Sequence, residues 1–169
     1  GVFEIQVDHE DSAILLRIQD PDDSFASRAK SALMTHLMNN AFFSSLRTEQ
    51  QLGYVVQMLG GTLYNRGGIM FQIQSPVAPA DVLEQRIISF VDERIRVVSG
   101  YSNSDFNQHK ASLISRLTES DKNLVERSRR YWNNLDQGVL TFDAEQQIAD
   151  ELAKLTIADM LAYVKEIKR

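Results

Sequence analysis

The chain has 169 residues, 43% of them hydrophobic and 24% charged, enough to bury a core of its own and too apolar for a disordered segment. It has no cysteine, which excludes disulfides, thiolate metal sites and cysteine nucleophiles. With 18 Lys and Arg against 23 Asp and Glu, its net charge of −5 argues against a global pull toward nucleic acid or anionic membrane.

No apolar run approaches the ~18 residues that would span a bilayer, and no signal peptide is visible. Gly1 in place of Met points to a piece of a longer polypeptide. All three prolines (Pro21, Pro76, Pro79) lie in the first half, and five of the eight glycines fall between Gly53 and Gly68. The expectation is one α+β domain over 1–169, with strands and one long helix in residues 1–79 and helices in residues 80–169.

Phe3, Ile5 and Val7 alternate with polar residues and predict a first strand; His9–Ser12 is a polar turn. Ile14, Leu16 and Ile18 predict a second strand, with Leu15 on its other face adding burial. Asp20-Pro21-Asp22-Asp23 breaks the chain and supplies acid to a helix N-terminus. A long helix follows from about Ser24 to Ser45, with Phe25, Ala29, Leu33, Leu37 and Phe43 at helical spacing. Val55–Leu59 and the alternating Ile69, Phe71 and Ile73 predict an antiparallel hairpin, with Gly60-Gly61 and Gly67-Gly68 supplying positive φ.

The second part reads as four or five helices. Leu83, Ile87, Phe90, Val91, Ile95 and Val98 line the first, which Gly100 ends. Phe106, Leu113, Ile114 and Leu117 mark the next, after a start at Ser102–Asp105. Leu124, Ser128, Tyr131, Trp132 and Leu135 form a stripe expected to face the core, and Gly138 stops that helix. Asp143-x-x-Gln146 and Thr156-x-x-Asp159 read as capping boxes for the last two helices. An antiparallel sheet covered by helices on one face is the packing this order favours.

Little of the sequence matches a known chemical pattern. His9, His36 and His109 are the three histidines; none belongs to H-E-x-x-H or H-x-x-E-H, so no metal site is expected here. No G-x-S-x-G or G-x-x-x-x-G-K-[ST] occurs. Arg116, Lys122, Arg127, Arg129 and Arg130 beside Tyr131 and Trp132 could suit single-stranded nucleic acid, but Glu119, Asp121 and Glu126 dilute the patch. The segment Leu46–Val56 is different. A helix ends, polar residues crowd a short link, and Arg47 and Tyr54 stand seven residues apart on either side of a turn at Gly53. A guanidinium fork and a phenol at a strand edge could grip a peptide carbonyl or an oxyanion developing on it.

Leu46-Arg47-Thr48-Glu49-Gln50-Gln51-Leu52-Gly53-Tyr54-Val55-Val56 closely resembles a signature of the pitrilysin/insulin-degrading enzyme family of zinc metallopeptidases. Asn39–Phe43 before it, Phe71–Ser75 after it and Tyr131-Trp132 further on fit as well. The resemblance is to the last of that family's four homologous domains, a metalloenzyme-like domain of the processing-peptidase type. It implies no cofactor in this chain, with zinc in the N-terminal domain of a larger enzyme. The partners it implies are that zinc-bearing half and peptide substrates, with no nucleic acid and no membrane. The chain would close a peptide chamber and be catalytically incomplete alone. Arg47 would bind substrate backbone carbonyl, and Tyr54 would bind substrate and support the tetrahedral intermediate. A non-catalytic subunit of the same fold, or an unrelated helical interaction module, are the alternatives.

Overall fold

The computed structural model describes residues 1–5 and 8–167. Three strands, β1 (Ser12–Gln19), β2 (Val55–Gly60) and β3 (Gly68–Ser75), form an antiparallel sheet in the order β1-β3-β2. A long helix, α1 (Phe25–Phe43), separates the first two strands, and five helices follow the sheet: α2 (Ala80–Ser99), α3 (Asn103–Leu117), α4 (Leu124–Asp136), α5 (Ala144–Lys154) and α6 (Ile157–Ile167).

Alternation along the strands sets the inner face. Register aligns Ile14, Ile73 and Val56 in one row and Leu16, Phe71 and Met58 in the next. The β3 residues Ile69, Phe71 and Ile73 are buried against Leu33, Leu37, Met38 and Phe42 of α1. Phe42 meets Phe71 edge-on at 5.3 Å and Phe90 of α2 at 5.2 Å, tying sheet, α1 and α2 into one core. Leu83, Ile87, Phe90 and Val98 of α2 are buried, with Val91 and Ile95 packed at the margin, as the sequence spacing predicts.

One polar group joins elements that the apolar core does not. Asp20, 1% exposed just after β1, accepts from the Tyr163 hydroxyl of α6 at 2.7 Å and from Ser31 Oγ of α1 at 2.9 Å. Its backbone N–H donates to Gly67 O in the hairpin at 3.0 Å. A Cβ on Gly67 would lie 2.2 Å from the Asp20 carboxylate, so this crossing needs glycine.

Several expectations need correction. Phe3 and Ile5 are exposed and lie in no regular structure, so they form no strand; Val7 lies outside the described residues. Leu15 is exposed on the uncovered sheet face. Of the adjacent pair Phe42 and Phe43, Phe42 fills the core and Phe43 faces out, because neighbours on a helix point about 100° apart. The hairpin takes its left-handed φ from Tyr64 (50°) and Asn65 (61°); of its four glycines only Gly68 has a positive φ, 159°. Ser24, Ser102 and Asn123 cap α1, α3 and α4. Thr156 and Asp159 form the expected reciprocal box, with bonds of 3.2 and 2.8 Å. Asp143 and Gln146 do not: the first N–H of α5 is taken by Asn134 Oδ1 at 3.0 Å, while Asp143 binds Gln147 at 2.8 Å.

The largest correction concerns α4. Leu124, Tyr131, Trp132 and Leu135 are exposed, not core. The helix is anchored by polar contacts: buried Asn134 bonds the start of α5 and Glu145, and Arg127 and Arg130 pair with Asp121. Its apolar stripe therefore faces outward.

Two stability predictions follow from this packing. Ile87→Ala should cost about 2–5 kcal/mol, checked by chemical denaturation, and a loss below about half a kcal/mol would contradict its place in the core. The Asp20 carboxyl is raised above its ordinary 3.8, chiefly by burial, against the pull of Tyr163, Ser31 and Arg17. An acid raised in the folded state stabilises most below its unfolded value and less as pH climbs through the raised one. Denaturation from about pH 4 to neutrality should show wild type losing stability relative to Asp20→Asn as pH rises; a constant difference would refute the raised titration.

Candidate functional site at the Arg47–Tyr54 turn

The end of α1 does not stop in a cap. It widens into a π-helical turn, Ser44–Glu49, closed by Gln50 N–H to Ser45 O at 3.0 Å. Such turns are uncommon and cluster at functional sites. The turn keeps Leu46 fully buried while placing Arg47 on the opposite side, half-buried.

Beyond it, Gln51 adopts a left-handed φ of 51°, and Leu52 returns to the core with its N–H bonded to Leu46 O at 2.9 Å. Gly53 then passes so close to β3 that a Cβ would sit 2.1 Å from Gln74 O. Any side chain there would force the strands apart. Tyr54 N–H donates to that same carbonyl at 3.2 Å, starting β2 at the sheet edge. Two buried leucines and one glycine contact thus fix both ends of the segment that carries Arg47 and Tyr54.

The two side chains have different partners. The Tyr54 hydroxyl donates to Asp11 Oδ2, immediately before β1, at 2.6 Å; the ring remains 51% exposed. This hydrogen bond, then burial and the Asp11 charge, raise the phenol above its ordinary value, so it keeps its proton at neutral pH and acts as a donor. Arg47 makes no hydrogen bond or ion pair among the described residues. It lines an open cleft of about 570 Å³ with Phe43, Thr48 and Gln51. A cationic fork, an exposed aromatic face and two uncharged polar groups suit an extended peptide, whose carbonyls accept and whose side chains are often apolar.

Sequence reading placed Arg47 and Tyr54 on one turn and missed Phe43 and Asp11. The Phe42-Phe43 pair carried a signal, since only one of the two can face the core. Asp11, 43 residues from Tyr54 in sequence, carried none.

Among the described residues no three His, Cys, Asp or Glu side chains are grouped to hold a metal ion. His36 and His109 face each other edge-on at 5.9 Å, and His109 stacks on Tyr101 at 5.5 Å. His109 is thus half-buried. Burial lowers the His36 pKa, helped by the charges of Arg116 and His109. With a guanidinium nearby and no carboxylate joining the pair, these histidines do not fit a zinc site.

Comparison with known proteins agrees with the fold. The chain is 30% identical over 157 residues to insulin-degrading enzyme-like 1, peroxisomal, of Arabidopsis thaliana, covering 93% of this chain and 16% of that protein. It is 34% identical to the A-factor-processing enzyme of Saccharomyces cerevisiae, covering 80% and 13% respectively. It thus spans about a sixth or less of the curated relatives it matches. The crystal structure of pitrilysin superposes with a TM-score of 0.82 at 24% identity, over 94% of this chain and 17% of that one. The family model for the PQQ synthase PqqF-like C-terminal lobe, domain 4, matches residues 33–132, which include the π-helical turn, the hairpin and most of α4. The chain belongs to the pitrilysin/insulin-degrading enzyme family of zinc metallopeptidases, as a domain of the type found in its non-catalytic C-terminal lobe.

Proposed function

We propose that this chain is one domain of a longer zinc metalloendopeptidase, where it closes the peptide chamber opposite the zinc-bearing N-terminal half and holds the substrate backbone with Arg47 and Tyr54. The observation that carries the reading is the unpartnered, half-buried Arg47 on a turn fixed at both ends. A guanidinium kept partly out of water without an internal acceptor favours an acceptor from outside, and peptide carbonyls are the acceptors an extended substrate offers.

On this reading Arg47 donates to a carbonyl of the bound peptide in ground and transition states alike. Tyr54 donates where negative charge develops on the scissile carbonyl oxygen. The phenol keeps its proton at neutral pH and so has one to donate. Asp11 holds the hydroxyl in the free domain, and substrate engagement exchanges one acceptor for the other. The chain alone supplies neither metal nor activated water, so the isolated 169 residues should hydrolyse no peptide; turnover by chelator-treated, purified chain would contradict this.

Kinetics on the full-length peptidase separate the two roles. Tyr54→Phe removes one hydroxyl and should lower kcat roughly a hundredfold with little change in KM, as for loss of one oxyanion donor. Arg47→Ala should raise KM as well, because its contact exists before the chemical step. Thermal unfolding in parallel excludes a folding defect. Near-wild-type kcat in Tyr54→Phe would return Tyr54 to a sheet-margin residue held by Asp11.

A further inference from the structure

We infer that Asp11 is an autoinhibitory latch on Tyr54: its carboxylate occupies the one proton the phenol can donate and yields it only to an acceptor that is itself charged. This rests on the reading of Tyr54 as a donor to the scissile carbonyl oxygen, and adds how that donor is held back. The contact is built across the end of the sheet. Asp11 stands one residue before Ser12, which pairs with Ser75 of β3. Tyr54 stands one residue before Val55, which pairs with Gln74 on the other side of β3. The two side chains therefore come from the two outer strands and meet at the end of the central one. Their separation of 2.6 Å is that of a charge-assisted hydrogen bond.

Each group is committed to the other. Among the described residues no Lys or Arg pairs with the Asp11 carboxylate, and the nearest cationic candidate, His9 Nδ1, lies 4.0 Å from Oδ1. That nitrogen accepts the Asp11 backbone N–H at 3.0 Å, so it has no proton at that atom to offer the carboxylate. The Asp11 side chain is only 15% exposed, which limits competition from water. The Tyr54 hydroxyl has no second partner among the described residues, and the bond to Asp11 is the largest cause of its raised pKa. The turn does not need this bond for its shape, because Leu46, Leu52 and Gly53 already fix it.

Acceptor strength gives the latch its selectivity. A phenol has one proton and gives it to one acceptor at a time. A neutral peptide carbonyl is roughly half as strong an acceptor as a carboxylate, so ground-state substrate leaves the bond to Asp11 closed. The oxygen of the tetrahedral intermediate carries the charge the carbonyl lacks, and it draws the hydroxyl away from Asp11. No covalent bond changes in this exchange; the hydroxyl turns about its C–O bond from one acceptor to the other. Asp11 thus confines the contribution of Tyr54 to the transition state, which is why losing the hydroxyl acts on kcat and leaves KM alone. The same bond must be broken in every turnover, so Asp11 also slows the enzyme.

The bond is tested first in the 169-residue chain, with tyrosine carbon-13 labelled at Cζ and the Tyr54 signal identified by Tyr54→Phe. Asp11→Asn should lower the Tyr54 titration toward the ordinary 10.0; an unmoved titration overturns the proposal. In the full-length peptidase, kcat/KM on a short peptide should rise in the order Asp11, Asn, Ala, by about fivefold or more from first to last, since each step leaves a weaker acceptor to displace. Asp11→Ala should also lower KM, because the phenol is then free to meet the ground-state carbonyl. A merely structural Asp11 predicts the opposite, a fall with Ala that Asn rescues, and that result overturns the latch. In a Tyr54→Phe background the same substitutions should leave kcat/KM unchanged, and a rise there overturns it as well. A roughly hundredfold loss in Tyr54→Phe with no gain on substituting Asp11 sinks the latch alone, whereas near-wild-type Tyr54→Phe sinks the catalytic reading and the latch with it.

Discussion

The Asp20 carboxylate is the contact on which the arrangement of layers depends. The apolar core explains why α1 and α2 cover the sheet, but hydrophobic contact is non-directional and does not fix where the last helix ends up. Tyr163 and Ser31 each donate to a different oxygen of one buried carboxylate, and Gly67 presses against it from the hairpin. The end of β1, the start of α1, the returning strand and α6 therefore meet at a single point. The phenol of Tyr163 is itself driven far above its ordinary range, first by burial and then by the Asp20 charge, so it remains a donor under all native conditions. Losing either partner would leave the other buried without an acceptor or donor, which is what makes the junction directional.

Much of the fold was legible because its causes are local. Alternation in Ile69–Ile73 is the pleat itself, and the stripe from Leu83 to Val98 is the helical period. Caps at Ser24, Ser102 and Thr156 need only neighbours three residues away. What failed was non-local. Asp20 read as one of several acids at a helix start, yet its partner Tyr163 lies 143 residues on. Asp143 and Gln146 had the right spacing for a cap, but Asn134 reached the same N–H first. Phe3 and Ile5 had the right alternation, but alternation alone does not pair a strand, and both lie exposed outside the sheet.

The error at α4 is of another kind. Periodicity correctly identified one apolar face, but periodicity names a face and not what lies against it. In a complete domain the usual answer is the core. Here Asn134, about 100° around the helix from Leu135, is the fully buried one, and its bonds to Ala144 and Glu145 decide which way the helix turns. The hydrogen bonds of the buried Asn134 amide to Arg130 O, Ala144 N–H and Glu145 thus hold the helix in the orientation that leaves Leu124, Tyr131, Trp132 and Leu135 facing outward.

The same accounting of partners applies at the Arg47–Tyr54 turn. Arg28, buried to a similar depth as the core around it, is met by Gln137, Asn65 and the Phe25 ring. Arg17 and Arg66 reach backbone carbonyls, and Arg130 reaches Asp121. Arg17, Arg28 and Arg66 join elements that are distant in sequence, and Arg130 ties α4 to the turn before it. Arg47 joins nothing, although Leu46 beside it and Leu52 beyond are anchored as firmly as any core residue and Gly53 permits no slack against β3. The rigidity of the turn therefore cannot derive from Arg47; it is imposed on Arg47 by its neighbours. A side chain whose backbone is fixed by others, and which spends none of its donors internally, has its backbone entropy removed before any ligand arrives and has only its own rotamers left to order on binding.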